Sequence, residues 1–181
     1  MKTKVLYVLV FANMIIGCAS SGEVVYDYNL ETDFENYNTF VVCTDDMTVT
    51  NTSFPNYDNE TIRAFLADAV EDEMKLRDHT LNNLEPQLQV GFKIVLREET
   101  TSFRNCTHSD ELEYWEDCKV HDVIYMQETL IVYVSDFETL EVLWQASVSS
   151  DMNTSKNKLK SNIDEMVSRL FATYPRAKSN I

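Results

Sequence analysis

Leu88, Val90, Phe92, Ile94 and Leu96 occupy every second position, with Gln89, Lys93 and Arg97 among the residues between them. Successive side chains of a strand point to opposite faces, so this period of two makes residues 88–98 a strand with one apolar and one wetter face. A sheet of that kind has to be covered on one side only. The chain carries two covers of the right type. Ile62, Phe65, Leu66, Ala69, Val70 and Met74 recur at helical spacing behind a cap at Asp58 or Asn59, in a helix expected to end near Asp78. Leu159, Ile163, Met166, Val167, Leu170, Phe171 and Tyr174 form a second stripe, with Pro175 just beyond it as a stop. Residues 24–28, 39–43, 125–134 and 142–149 read as further strands, 45–57 as a polar loop and 99–122 as a long polar loop. The expected fold is α+β, a two-layer sandwich. A mixed, mostly antiparallel sheet of about five strands carries two amphipathic helices on one face.

The N-terminus makes a different kind of statement. Lys2 and Lys4 precede an apolar run over residues 5–16, which is too short to span a bilayer as a permanent helix. Ile15-Ile16-Gly17-Cys18 closes it. That pattern is similar to a bacterial lipobox, in which a peptidase cuts before a Cys that carries a diacylglycerol. The expected organisation is a signal peptide over 1–17, a lipidated Cys18 with a short tether over 18–22, a single domain over 23–176, and a tail over 177–181. An ordinary secretory signal cut after Ala19 is the competing reading. Ala19 and Ser20 follow the Cys with no Asp. By resemblance to lipoprotein sorting, that makes the outer membrane the expected address within the cell envelope, ahead of the inner one.

Thirty acidic side chains against fifteen basic ones give a formal charge of −15, and −17 once Lys2 and Lys4 are gone with the leader. Such a surface repels phosphate backbones, which argues against nucleic acid as a partner. It suits a basic peptide, another envelope protein, or simple solubility. Cys43 reads as a buried strand thiol. Cys106 and Cys118 lie in the long polar stretch, and a disulfide between them would close a short loop, a link that persists in an oxidising compartment. The same stretch holds His108 and His121, and Cys106, His108, Cys118 and His121 form a chemically sensible zinc set. Disulfide formation competes with it. Tyr114 and Trp115, set among acids in this stretch, are candidates for a contact surface.

Several segments resemble the lipoproteins classed as domain-of-unknown-function family 4136. Val25-Tyr26-Asp27-Tyr28 and the segment from Asp33-Phe34 through Tyr37 to Thr39-Phe40 are similar to the family's opening. Asp136, Thr139 and Trp144 stand at the spacing of its closing hairpin, and Phe171-Ala172-Thr173-Tyr174-Pro175 is similar to its final helix end. The departures are Gln87 and Gln89, where the family usually carries an acid, and the cysteine-bearing stretch, which has no counterpart in the family pattern. The resemblance implies a fold and an envelope address, and it supplies no catalytic residues.

Asp136 and Thr139 are expected to hydrogen-bond the backbone of a hairpin turn, and Trp144 shares strand parity with Ala146 and Val148 and is expected in the core. His79, at the expected end of the first helix, is placed to complement the helix dipole as a cation. Signatures of common hydrolases, metalloproteases and phosphate-binding loops are missing, and only three glycines occur in the chain. The sequence therefore reads as a lipid-anchored envelope domain that binds or scaffolds without catalysis and without a cofactor. A zinc-binding lipoprotein is the alternative, and a carboxylate-based envelope hydrolase the remote one.

Overall fold

The computed structural model describes residues 22–49, 53–107, 117–150 and 152–176. Six strands form one open sheet in the order β1-β6-β5-β4-β2-β3. They are β1 (Val25–Tyr28), β2 (Thr39–Val42), β3 (Thr80–Leu81), β4 (Leu88–Thr107), β5 (Asp117–Asp136) and β6 (Val142–Ser149). β1, β6, β5 and β4 pair antiparallel in turn, and β2 lies parallel to both β4 and β3. The sheet is thus mixed and mostly antiparallel, with six strands where about five were expected. The extra one, β3, has only two residues, too few to leave a periodic trace in the sequence.

Two helices lie over one face. α1 (Glu60–Lys75) starts where the Asn59 side chain accepts from the Ile62 N–H, and Glu60 faces the positive end of the helix dipole. Its stripe of Ile62, Leu66, Ala69, Val70 and Met74 is buried. Behind it Asp78 takes a left-handed conformation with φ of 62°, which turns the chain toward β3. α2 (Lys156–Phe171) buries Leu159, Ile163, Val167, Leu170 and Phe171. Both stripes meet Leu88, Val90, Phe92, Leu130, Val132, Val134, Trp144, Ala146 and Val148 in a single core. Those strand residues share one parity across the register, so the period of two in the sequence does select the covered face.

The expected long loop over 99–122 is the principal correction. β4 continues to Thr107 and β5 begins at Asp117, so most of this stretch is paired strand. The physical reason is that neither face is buried there. An apolar–polar alternation appears only where one side meets a core, and here both sides meet water.

Candidate functional site

β6 accompanies β5 only as far as Thr129↔Ser149, and β2 accompanies β4 only as far as Val42↔Val90. From Leu96↔Glu128 to Thr107↔Asp117, twelve residue pairs, no third strand among the described residues flanks β4 and β5. At about 3.4 Å per residue this ribbon reaches about 40 Å past the sheet. Its register has no bulge or slip. Side chains that would usually be covered stand in the open on it: Phe103 (57 % exposed), Ile124 (68 %), Val120, Val123 and Tyr125. Isolated two-stranded ribbons are marginally stable, and clustered exposed apolar groups mark contact surfaces.

The phase of the ribbon's hydrogen bonds is fixed at its base. Phe137 N–H donates to the Gln87 carbonyl at 2.9 Å, one step before Leu88↔Asp136, so odd positions of β4 are the hydrogen-bonded pairs and even positions the wide ones. The outer edge agrees: Cys43 N–H donates to Val90 O at 2.8 Å, and Phe92 N–H donates to Asp46 Oδ2 at 3.2 Å. Cys106 stands directly opposite Cys118 at an even, non-hydrogen-bonded position. Cα atoms at such positions lie about 4.5 Å apart, inside the range a disulfide spans. His121 pairs with Phe103 and lies three residues beyond Cys118, an odd step that places it on the other face of β5. The geometry therefore splits the zinc set drawn from sequence. Cys118 and His121 cannot converge on one ion while the ladder is intact. His108, Tyr114, Trp115 and Cys18 lie outside the described residues. Among those described, no three His, Cys, Asp or Glu side chains gather as metal ligands.

Sequence reasoning missed a polar node on the open face. Asp46, 2 % exposed, sits in a 3₁₀ turn (Asp45–Met47) laid across β4. Its carboxylate accepts from the Tyr133 hydroxyl at 2.6 Å and from Phe92 N–H, and it pairs with the Lys93 ammonium. The buried Cys43 thiol joins at Tyr133. Burial, then the bonds to Asp46 and Cys43, push the Tyr133 hydroxyl far up, so it stays protonated and donates. A side chain at Gly91 would overlap both the Asp46 carboxylate and the Tyr133 hydroxyl. That glycine in mid-strand was the available signal of a close approach. The node clasps the 45–47 turn to the sheet. Both Asp46 carboxylate oxygens are engaged within the node, Oδ1 by Lys93 and Oδ2 by Tyr133 and Phe92 N–H.

The other end of the sheet holds His79, 3 % exposed, against the Tyr174 hydroxyl at 3.3 Å and Arg176 at 3.5 Å. Burial, reinforced by the Arg176 cation, pulls its pKa down to about 4. The side chain is neutral at pH 7 and does not serve the helix dipole as a cation, which corrects the sequence expectation. Between pH 4 and 6.5 the unfolded chain binds a proton that the folded chain refuses, so stability falls as pH drops through that window. The full shift is worth on the order of 3 kcal/mol. Urea midpoints measured from pH 7 to 4 are expected to decline less steeply in His79→Gln than in wild type. Equal slopes would show that His79 titrates normally in the fold.

The hairpin between β5 and β6 is built as its residues suggested. Asp136 Oδ1 accepts from Glu138 N–H and Thr139 N–H, Thr139 Oγ1 accepts from Glu141 N–H, and Leu140 takes φ of 61°. These bonds and the Tyr37 hydroxyl hold the Asp136 carboxyl below its usual range. A cleft of about 740 Å³ lies between the start of α1 and residues 152–154 and is lined by Asn59, Glu60, Phe65, Met152 and Leu159.

A family model described as a domain of unknown function, DUF4136, matches residues 24–176. The chain belongs to the DUF4136 family. A DUF4136 family protein of Bacteroides thetaiotaomicron has a similar crystal structure, at 14 % identity and a TM-score of 0.54, over 86 % of this chain and 97 % of that one. A PDZ domain protein of Parabacteroides distasonis also matches, with a TM-score of 0.54 and 11 % identity over 87 % of this chain. The DUF4136 chain spans about a third of that longer protein, 36 % of its length. At these identities the likeness is one of fold. No curated protein matches in sequence.

Proposed function

We propose that this DUF4136 chain is a lipid-anchored domain of the cell envelope, with the outer membrane favoured, that docks or scaffolds another component without catalysis. The observation that carries the reading is the ribbon: about 40 Å of unsupported β-structure with exposed Phe103, Val120, Ile124 and Tyr125. The position of the N-terminus supports the anchor. β1 pairs Val25 with Ser147, and Gly22 O accepts from Arg169 at 2.5 Å, so the chain leaves the sheet at the end from which the ribbon projects. Cys18 is four residues from Gly22, a reach of about 14 Å at most. Lipid on Cys18 would hold the ribbon's end of the sheet close to the membrane surface. The opposed, non-hydrogen-bonded Cys106 and Cys118 favour a disulfide across the far end of the ribbon, worth about 3 kcal/mol for a loop of that length.

The test is the intact mass of detergent-extracted protein before and after reduction. The expected result is a diacylglyceryl adduct at Cys18 and a gain of two hydrogens on reduction, with Cys18→Ala released to the aqueous fraction. A retained leader, or a Cys18→Ala protein still held in the membrane fraction, would overturn the anchor. An unchanged mass on reduction would overturn the disulfide.

A further inference from the structure

We infer that the free edge of β4 pairs antiparallel with the same edge of a second copy of this chain, around a two-fold axis at Thr101. The proposal rests on the reading of the ribbon as a contact surface and names its occupant. Beyond Phe92 the outward N–H and C=O groups of β4 belong to the even residues, the phase set by the bonds at Val90 and Phe92. Among the described residues this edge has no bulge and no covering helix, and an open edge of this length is a template for another strand. Among antiparallel self-registers that keep this phase, the one centred on Thr101 sets Glu98 of each copy opposite Arg104 of the other. Thr100 then faces Ser102. About a dozen backbone hydrogen bonds would form between residues 96 and 106. Registers centred on Glu98 or Glu99 put like charges face to face, and those centred on Thr100 or Ser102 lose the Glu–Arg match. Charge also selects the edge. From Lys93 to Thr107 the strand carries Lys93, Arg97 and Arg104 against Glu98 and Glu99, a local balance of +1 in a chain of −15. Two copies meet there with the least repulsion. On β5, Lys119 and Asp122 differ in parity, so no self-register that keeps the phase aligns those two.

The experiment uses the detergent-extracted full chain carrying Thr101→Cys under mild oxidation. On the proposed axis, position 101 faces itself at a non-hydrogen-bonded site, at disulfide distance. The expected product is a covalent dimer. Trypsin would release it as two 98–104 peptides joined at position 101, a segment free of native cysteine. Glu98→Arg or Arg104→Glu added singly should cut the yield at least tenfold, and both together should restore it. Absence of the 101–101 link, or equal yields from the single and double charge variants, would overturn the inference. The Cys18→Ala form should link as well as the anchored one. A lipid mass on Cys18 without the 101–101 link therefore sinks the self-pairing alone, and the reverse result sinks the anchor alone.

Discussion

Trp144→Ala is expected to lower the unfolding free energy by about 3–5 kcal/mol, the range for truncating a fully buried large aromatic. Trp144 has no exposed surface. Its ring lies 5.0 Å from Phe171 and 5.2 Å from Tyr174, the latter edge-on at 89°, and its Nε1–H donates to Thr173 Oγ1 at 3.3 Å. Those partners close the end of α2 onto β6, so the cavity opens where helix and sheet meet. Urea unfolding should show a lower midpoint with an unchanged slope. A loss under 1 kcal/mol would mean that Phe171 and Tyr174 collapse into the space and that the joint is soft.

Arg63→Ala should cost about as much, by another route. Arg63 grips Asp58 through Nε and Nη2, each at 2.6 Å, and reaches the Asp46 carbonyl through Nη1 at 2.5 Å, with all three residues buried. Removing the cation strands the Asp58 carboxylate, for which about 3–5 kcal/mol is typical. The same change combined with Asp58→Asn should recover a large part of the loss, because the uncompensated charge goes with it. If the double variant is as unstable as the single, packing of the guanidinium stem rather than charge holds this corner.

The parts of the fold that touch the core were legible in the sequence, and the parts that do not were less so. Leu88 to Phe92 and the stripes of α1 and α2 announced themselves because burial on one side imposes a period. Trp144 was readable by parity with Ala146. The outer halves of β4 and β5 carry Thr100, Thr101, Phe103, Val120, Val123 and Ile124, side chains well suited to strands. They lacked an apolar–polar rhythm because no layer of the described residues lies above or below them. Asp46 was hidden among polar neighbours, and only the partner across the space, Gly91, hinted at it. Cys118 and His121 of the zinc set fall on opposite faces for a reason that residue spacing in a loop cannot reveal. Once the stretch is a strand, three positions separate two faces.

β1 adds a property of timing and slack. It pairs only with β6, from the opposite end of the chain, and all four of its residues are exposed. Joining it closes nearly the longest loop the domain contains while burying little, so it should assemble late and open early. Its amides are then expected to exchange faster with solvent than those of Val90 or Val132. Opening would free residues 22–28, adding about 25 Å of reach to whatever holds the N-terminus, while the core under both helices stays shut. If the N-terminus is anchored as proposed, the edge strand would serve as a reserve of length, drawn out under load and taken back at rest.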